Sequence, residues 1–363
     1  MSLLLDVTDP NIEELAERIF ELQFAREDRL EDEYDDYRKS RMFRDIKHNL
    51  KILEVAIKYE ADNIFQDYAL WLVKLLSNRM KDLPPERVRE QMINHYQIMA
   101  EVLREEFNEN YQEKAQIYLK NAISTTETAN LKEGTSRELP SSSSLTSSDE
   151  NELTRLQILY LNSLLRADKY KAREVVEEAL NKDISLEKIY LEIFQKSLIR
   201  VGELWHSGNI TVDEEHYITG MTQNIMMQLW PRIFAGEKSG LSLLACTIGN
   251  ELHEMGVRIL CDLMEIKGWN SIYLGAAVPV DNIISALKKH KPDLVALSVT
   301  MPFYLEQCEE AVKKINASEE LKDIKIAVGG RAFNMAPHLS DKWGVEVKAS
   351  NAGELLKWTE NNI

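Results

Sequence analysis

Cysteine is scarce in this chain, with three among 363 residues, Cys246, Cys261 and Cys308. They lie far apart and form no C-x-x-C pair, which argues against a disulfide frame and a cysteine zinc site and predicts reduced thiols in a cytoplasmic protein. Long apolar runs are missing as well. The N-terminus, "MSLLLDVTDPNIEELAERIF", has only a three-leucine run soon followed by acids. It reads as neither a signal peptide nor a membrane helix, and no other segment reaches about eighteen apolar residues. Basic charge is in deficit: the net charge is -16. That argues against a chain that wraps nucleic acid or an anionic membrane by itself. Glycine is nearly absent from residues 9 to about 132, as suits a helical bundle.

What is present is a soluble composition, 44% hydrophobic and 29% charged, on a chain long enough for two or three domains. "RDIKHNLKILEVAIKY" places Ile46, Leu50, Leu53 and Ile57 at steps of four, three and four, one helical face. Similar patterns predict an all-helical domain over residues 1–133. Residues 134–151, "GTSRELPSSSSLTSSDEN", are Ser-rich with almost no apolar side chains and read as a flexible linker. Residues 152–236 read as four or five short helices. From residue 237 the pattern switches. "LSLLACTI", "NSIYLGAAV", "PDLVALSVT", "IKIAVGG" and "VEVKAS" read as strands, and the segments between them, beginning with a helix over Glu251–Gly268, as helices. The fold class expected is all-α plus α/β, the latter a doubly wound parallel sheet.

In such a sheet a ligand binds at the carboxyl ends of the strands. Small or polar residues gather there: "ELHEMG" after the first strand, "LGAAVP" after the second, Ser298 and Thr300 after the third, Gly329 and Gly330 after the fourth. His253 alone would be an ordinary loop histidine. The spacing carries more: 41 residues, 257 to 297, separate Gly256 from Ser298, and 28, 301 to 328, separate Thr300 from Gly329.

This pattern resembles the cobalamin-binding Rossmann-like (flavodoxin-like) domain, with its D-x-H-x-x-G, S-x-L or S-x-T, and GG. Here Glu251 stands where that family has Asp. The resemblance implies that His253 is the lower cobalt ligand, its other ring nitrogen held by Glu251. It implies that Ser298 bonds the displaced dimethylbenzimidazole tail, that Gly256, Gly329 and Gly330 let the tail pass, and that Leu274, Gly275 and Thr300 line its pocket.

The stretch "LWHSGNITVDEEH" then acquires a role. Trp205, nine residues (206 to 214), Glu215 and His216 reproduce the W-x9-E-H of CarH-type photoreceptors, in which a helical cap shelters the adenosyl group of adenosylcobalamin. The resemblance implies that Trp205 packs on that group and that Glu215 and His216 hydrogen-bond it. His206 is either a turn histidine or a cobalt ligand after light. The expected function is a cobalamin-dependent light sensor, not an enzyme by itself, that changes homo-oligomeric state or contacts with a downstream partner. Two rivals stand beside it: a corrinoid methyl carrier for methyltransferases, and a dark sensor of cobalamin level. The N-terminal helices show no helix-turn-helix, so direct DNA binding is not expected. Their aromatic stretch, with Phe65, Tyr68, Trp71 and Arg79, and with His48 and His95 nearby, reads either as core and dimer face or as a second chromophore site. The latter resembles photocobilins and implies noncovalent biliverdin.

Overall fold

The computed structural model describes residues 10–106, 109–131 and 149–363. Most of the expected Ser-rich linker lies outside the described residues. The chain divides into two compact units, one ending at Gly134 and the other beginning at Thr135.

The elements of the first unit among its described residues are all helices: α1 (Pro10–Arg26), α2 (Arg29–Glu33), α3 (Asp36–Lys58), α4 (Asp62–Arg79), α5 (Pro85–Glu106) and α6 (Glu109–Thr128). Asp35 caps α3 by accepting the Arg38 N–H at 2.8 Å, satisfying one of the donors that a helix start leaves orphaned. Ile46, Leu50, Leu53 and Ile57 of α3 are all buried, as their spacing predicts.

The second unit opens with α7 (Asp149–Leu165), α8 (Lys169–Asn181), the single turn α9 (Leu186–Lys188), a seven-residue π-helical segment (Ile189–Gln195), α10 (Lys196–His206) and α11 (Val212–Ile233). The sheet follows: β1 (Ser242–Ile248), α12 (Met255–Ile266), β2 (Asn270–Val278), α13 (Val280–His290), β3 (Leu294–Ser298), α14 (Leu305–Asn316), β4 (Lys325–Gly329), α15 (Arg331–Met335), α16 (His338–Trp343), β5 (Val347–Ala349) and α17 (Ala352–Asn362). The sheet is parallel in the order β2-β1-β3-β4-β5. β1, β3 and β4 are almost wholly buried, which explains their unbroken apolar runs. β2 is an edge strand and half-exposed along most of its length.

The helices before the sheet are not a separate layer. Tyr160, Ile193, Phe194 and Leu229 share one hydrophobic core with Leu243 and Leu294 of the sheet and Leu263 of α12. The expected helix over Glu251–Gly268 is shorter than its sequence suggests. It begins at Met255, and residues 249–254 form the loop after β1.

Candidate functional site

In this strand order the connection after β1 runs to one side, to β2, and the connection after β3 to the other, to β4, which opens a crevice beyond the carboxyl ends of β1 and β3. The loop that carries Glu251 and His253 starts there. Thr247, the penultimate residue of β1, donates its hydroxyl to the Glu251 carbonyl at 2.6 Å. The Ala277 N–H of β2 donates to the same carbonyl at 3.0 Å. The β1–β2 register slips between Ala245 and Ile248, so β2 bulges at Leu274–Ala277. Gly275 and Ala277 take positive φ there, at 91° and 56°.

Glu251 is the centre of the loop. Its side chain is 1% exposed, an expensive place for a carboxylate without partners. Partners are supplied from two strands. One oxygen, Oε1, accepts the His253 N–H at 3.1 Å and the His253 Nδ1–H in a short contact. The other, Oε2, accepts the N–H groups of Thr300 at 2.9 Å and Met301 at 2.8 Å, both beyond β3. Burial works against charge on both members of the pair. Even so, the Glu251 carboxylate raises the His253 pKa above its ordinary value, with a further contribution from Glu215 of α11. The His253 ring and the backbone N–H groups of Met301 and His253 hold Glu251 below the usual carboxylate range. With Nδ1–H committed to Glu251, the neutral imidazole keeps its lone pair on Nε2. The His253 side chain is 46% exposed.

The other expected residues fall around this pair. Ser298 ends β3, in register with Thr247 on one side and Gly329 on the other. Gly330 has φ 94°, and a Cβ there would lie 2.3 Å from the Val299 carbonyl oxygen, so only glycine fits. Beside Gly256 and Gly275 a Cβ would meet nothing within 4 Å, so open space adjoins both.

Trp205 and His206 end α10, half-buried, and Trp205 packs against the shared core. A short turn leads to Thr211, which opens a capping box: its N–H donates to Glu214 at 2.8 Å. That box fixes the first turn of α11, where Glu215 accepts the Thr219 hydroxyl at 2.9 Å. His216 is exposed, with Nε2 3.5 Å from the Glu215 carboxylate.

In the first unit, His95 is a core residue. Its Nδ1 lies 3.0 Å from Gln23 Oε1 and its Nε2 2.8 Å from Asn49 Nδ2. Both ring nitrogens are thus committed within the bundle. His48 and Phe65 are buried too, Tyr68 stacks on Trp71 with ring centroids 6.1 Å apart, and Arg79 is exposed at the end of α4.

Sequence reasoning missed Glu254, Arg258 and Asp262 of α12 and their partners on the preceding helices. Their spacing of four was visible; what that face meets was not.

Residues 159–229 and 241–353 each match a family profile described as a B12 binding domain. "Trimethylamine corrinoid protein 1" of Methanosarcina acetivorans is 27% identical over 200 residues, covering 52% of this chain and 88% of that one. "HTH-type transcriptional repressor CarH" of Myxococcus xanthus is 27% identical over 180 residues, covering 50% of this chain and 59% of that one. The structure of the Methanosarcina barkeri monomethylamine corrinoid protein aligns over 60% of this chain and all of that one, at 18% identity and a TM-score of 0.51, which supports the fold.

The residues present fit a corrinoid. Among the described residues no three His, Cys, Asp or Glu side chains cluster as a metal cage. A corrinoid brings its cobalt in its own ring and asks of the protein one oriented imidazole, together with room for a large ligand. His253, held by Glu251, offers the first, and the open flanks of Gly256 and Gly275 the second. The two profile matches and the fold together make this a cobalamin-binding protein.

Proposed function

We propose that the chain is an adenosylcobalamin-dependent light sensor of the CarH type. The observation that carries this reading is the presence in one unit of a W-x9-E-H cap, with Glu215 in the first turn of α11, and a histidine loop in which Glu251 holds His253. His253 would be the lower ligand, oriented by Glu251. Ser298, Thr300, Leu274, Gly275, Gly256, Gly329 and Gly330 would accommodate the nucleotide tail. Trp205 would cover the adenosyl group and exclude water, with Glu215 and His216 offering hydrogen bonds to it.

When bound, adenosylcobalamin supplies a cobalt–carbon bond that visible light breaks. Loss of the adenosyl group would deprive Trp205 of a packing partner and favour movement of α10 and α11, and His206, its neighbour in the chain, would offer an imidazole to the cobalt. The output would be a change in homo-oligomeric state or in contacts with a signalling partner, without catalysis by this chain and without direct DNA binding. The first helical unit is proposed as a dimerisation or second-chromophore unit, biliverdin being the candidate, with His95 excluded as its contact. A cytoplasmic site of action is proposed from the free, buried cysteines. Among the described residues no helix is long and apolar enough to cross a membrane.

A second reading is a corrinoid methyl carrier for methyltransferases. It is favoured by the match that spans 88% of a trimethylamine corrinoid protein, against 59% of CarH.

One experiment separates these. The chain is loaded with adenosylcobalamin in darkness, and absorption and hydrodynamic size are recorded before and after green light. The sensor reading expects both to change. An unaltered spectrum after illumination would sink it. The same preparation with biliverdin added tests the second chromophore: absence of a protein-bound, red-shifted band removes it. In His253→Ala the bound cobalamin should lose the spectrum of the imidazole-ligated, base-off form, and retention of that spectrum would refute the lower-ligand assignment.

A further inference from the structure

The helices that precede the sheet are fastened to it along one face of α12. This helix begins two residues after His253 and has Glu254 at its N-cap, followed by Arg258 and Asp262 at steps of four. Steps of four stack side chains on one face. Each of the three meets a residue of the cap.

Glu254 makes the first rung. Its Oε1 accepts the Gln223 amide of α11 at 3.2 Å, and its Oε2 accepts the Tyr273 hydroxyl of β2 at 2.7 Å. One turn on, the Arg258 guanidinium lies 5.8 Å from the Trp230 ring centroid of α11 and 5.9 Å from that of Tyr273. Its Nε is buried without a hydrogen-bond partner, between two aromatic rings. A further turn on, Asp262 accepts the Tyr190 hydroxyl of the π-helical segment at 2.7 Å.

The two ends differ. Tyr190 and Asp262 are buried, and Tyr190 belongs to the shared core. Glu254 and Gln223 are half-buried. A hydrogen bond enclosed in protein is harder to give up than one that water can replace. The Glu254 rung is also the one next to His253 in the chain, so its state bears directly on the loop that holds the imidazole.

We infer that Glu254, Arg258 and Asp262 form a three-rung fastener on which the cap hinges: the Glu254–Gln223 rung releases beside His253 while the Asp262–Tyr190 rung stays closed. Glu254 is then a positioning residue that ties the cap to the histidine loop. The inference deepens the cap reading above, but its test needs no cofactor.

The test is hydrogen–deuterium exchange of the full chain, read by mass spectrometry peptide by peptide. Gln223→Ala and Glu254→Ala should each speed exchange over residues 212–223 by about tenfold, as expected for loss of a hydrogen bond to a charged group. Residues 225–233 and 189–195 should change by less than about twofold. Tyr190→Phe should do the reverse, loosening 189–195 and 225–233 together. No acceleration over 212–223, or equal acceleration along all of α11, would overturn the hinge. Should Glu254→Ala fail to fold, Gln223→Ala, at a half-exposed position, gives the same reading. Illumination of the adenosylcobalamin-loaded wild type is scored separately. A cap that loosens as stated in a chain blind to light keeps the hinge and removes the sensor, and the opposite result removes the hinge alone.

Discussion

Glu251 and Thr300 follow different strands, and the side chain of the first is hydrogen-bonded to the backbone of the second, Oε2 to N–H at 2.9 Å. The same carboxylate holds the His253 ring through its other oxygen. The histidine loop is therefore not an independent flap; its anchor is the far wall of the crevice.

Glu251→Gln is the direct test of that anchor. An amide keeps the size but turns one acceptor into a donor, which must then face either the N–H groups of Thr300 and Met301 or those of His253. Leaving buried donors unpaired costs about 1–3 kcal/mol of stability. Cobalamin affinity should fall about 10- to 100-fold, the range typical when the partner of a metal-binding histidine is removed. Glu251→Asp keeps the acceptors and should lose less. Chemical denaturation and equilibrium titration with cobalamin measure the two effects.

Two glycines should behave oppositely when replaced by alanine. At Gly330 a Cβ would collide with the Val299 carbonyl at a positive φ, so Gly330→Ala should destabilise the cofactor-free chain by about 1–3 kcal/mol. Gly256 lies in the first turn of α12 with open space beside it, so Gly256→Ala should stabilise that helix by about 0.5–1 kcal/mol. If the open space receives the nucleotide tail, the same substitution weakens cobalamin binding. Thermal unfolding of the free chain and titration of the loaded one check the pair.

The first helical unit should weaken in mild acid. Burial depresses the His95 pKa to about 4, while an unfolded chain protonates histidine near 6.5. Between those values the unfolded state binds the extra proton, so stability is full above about pH 6.5 and falls as pH drops toward 4, by up to about 3 kcal/mol. Urea titrations at several pH values, read by pulsed hydrogen exchange in Pro85–Glu106, should show this slope, and His95→Gln should flatten it.

How much of this was legible in the sequence depends on how local its cause is. β1, β3 and β4 announce themselves because burial on both faces requires uninterrupted apolar residues. The α3 face was visible because one period governs it. The start of α12 was misread because Glu251, Leu252 and His253 suit a helix by propensity, whereas the bonds from Glu251 to Thr300 and Met301, some fifty residues away, hold them in a loop. His95 shows the same limit. Its position on a helix is local, but its satisfaction by Gln23 and Asn49 depends on three helices meeting. The site residues could be nominated from spacing; the bonds among them could not.

The π-helical segment has a bearing on Trp205 that no contact expresses. A π-turn amounts to one residue inserted into an α-helix. From Leu186 to His206 the helix is continuous through that segment, so everything after it is phased by the extra residue. Remove one residue from Ile189–Gln195 and the remainder can close as ordinary α-helix, but Trp205 would then be turned by about 100° about the helix axis. The direction in which the tryptophan faces is written ten residues upstream, as a matter of count and not of chemistry, and single-residue insertions or deletions there would redirect the cap without touching any residue of the site.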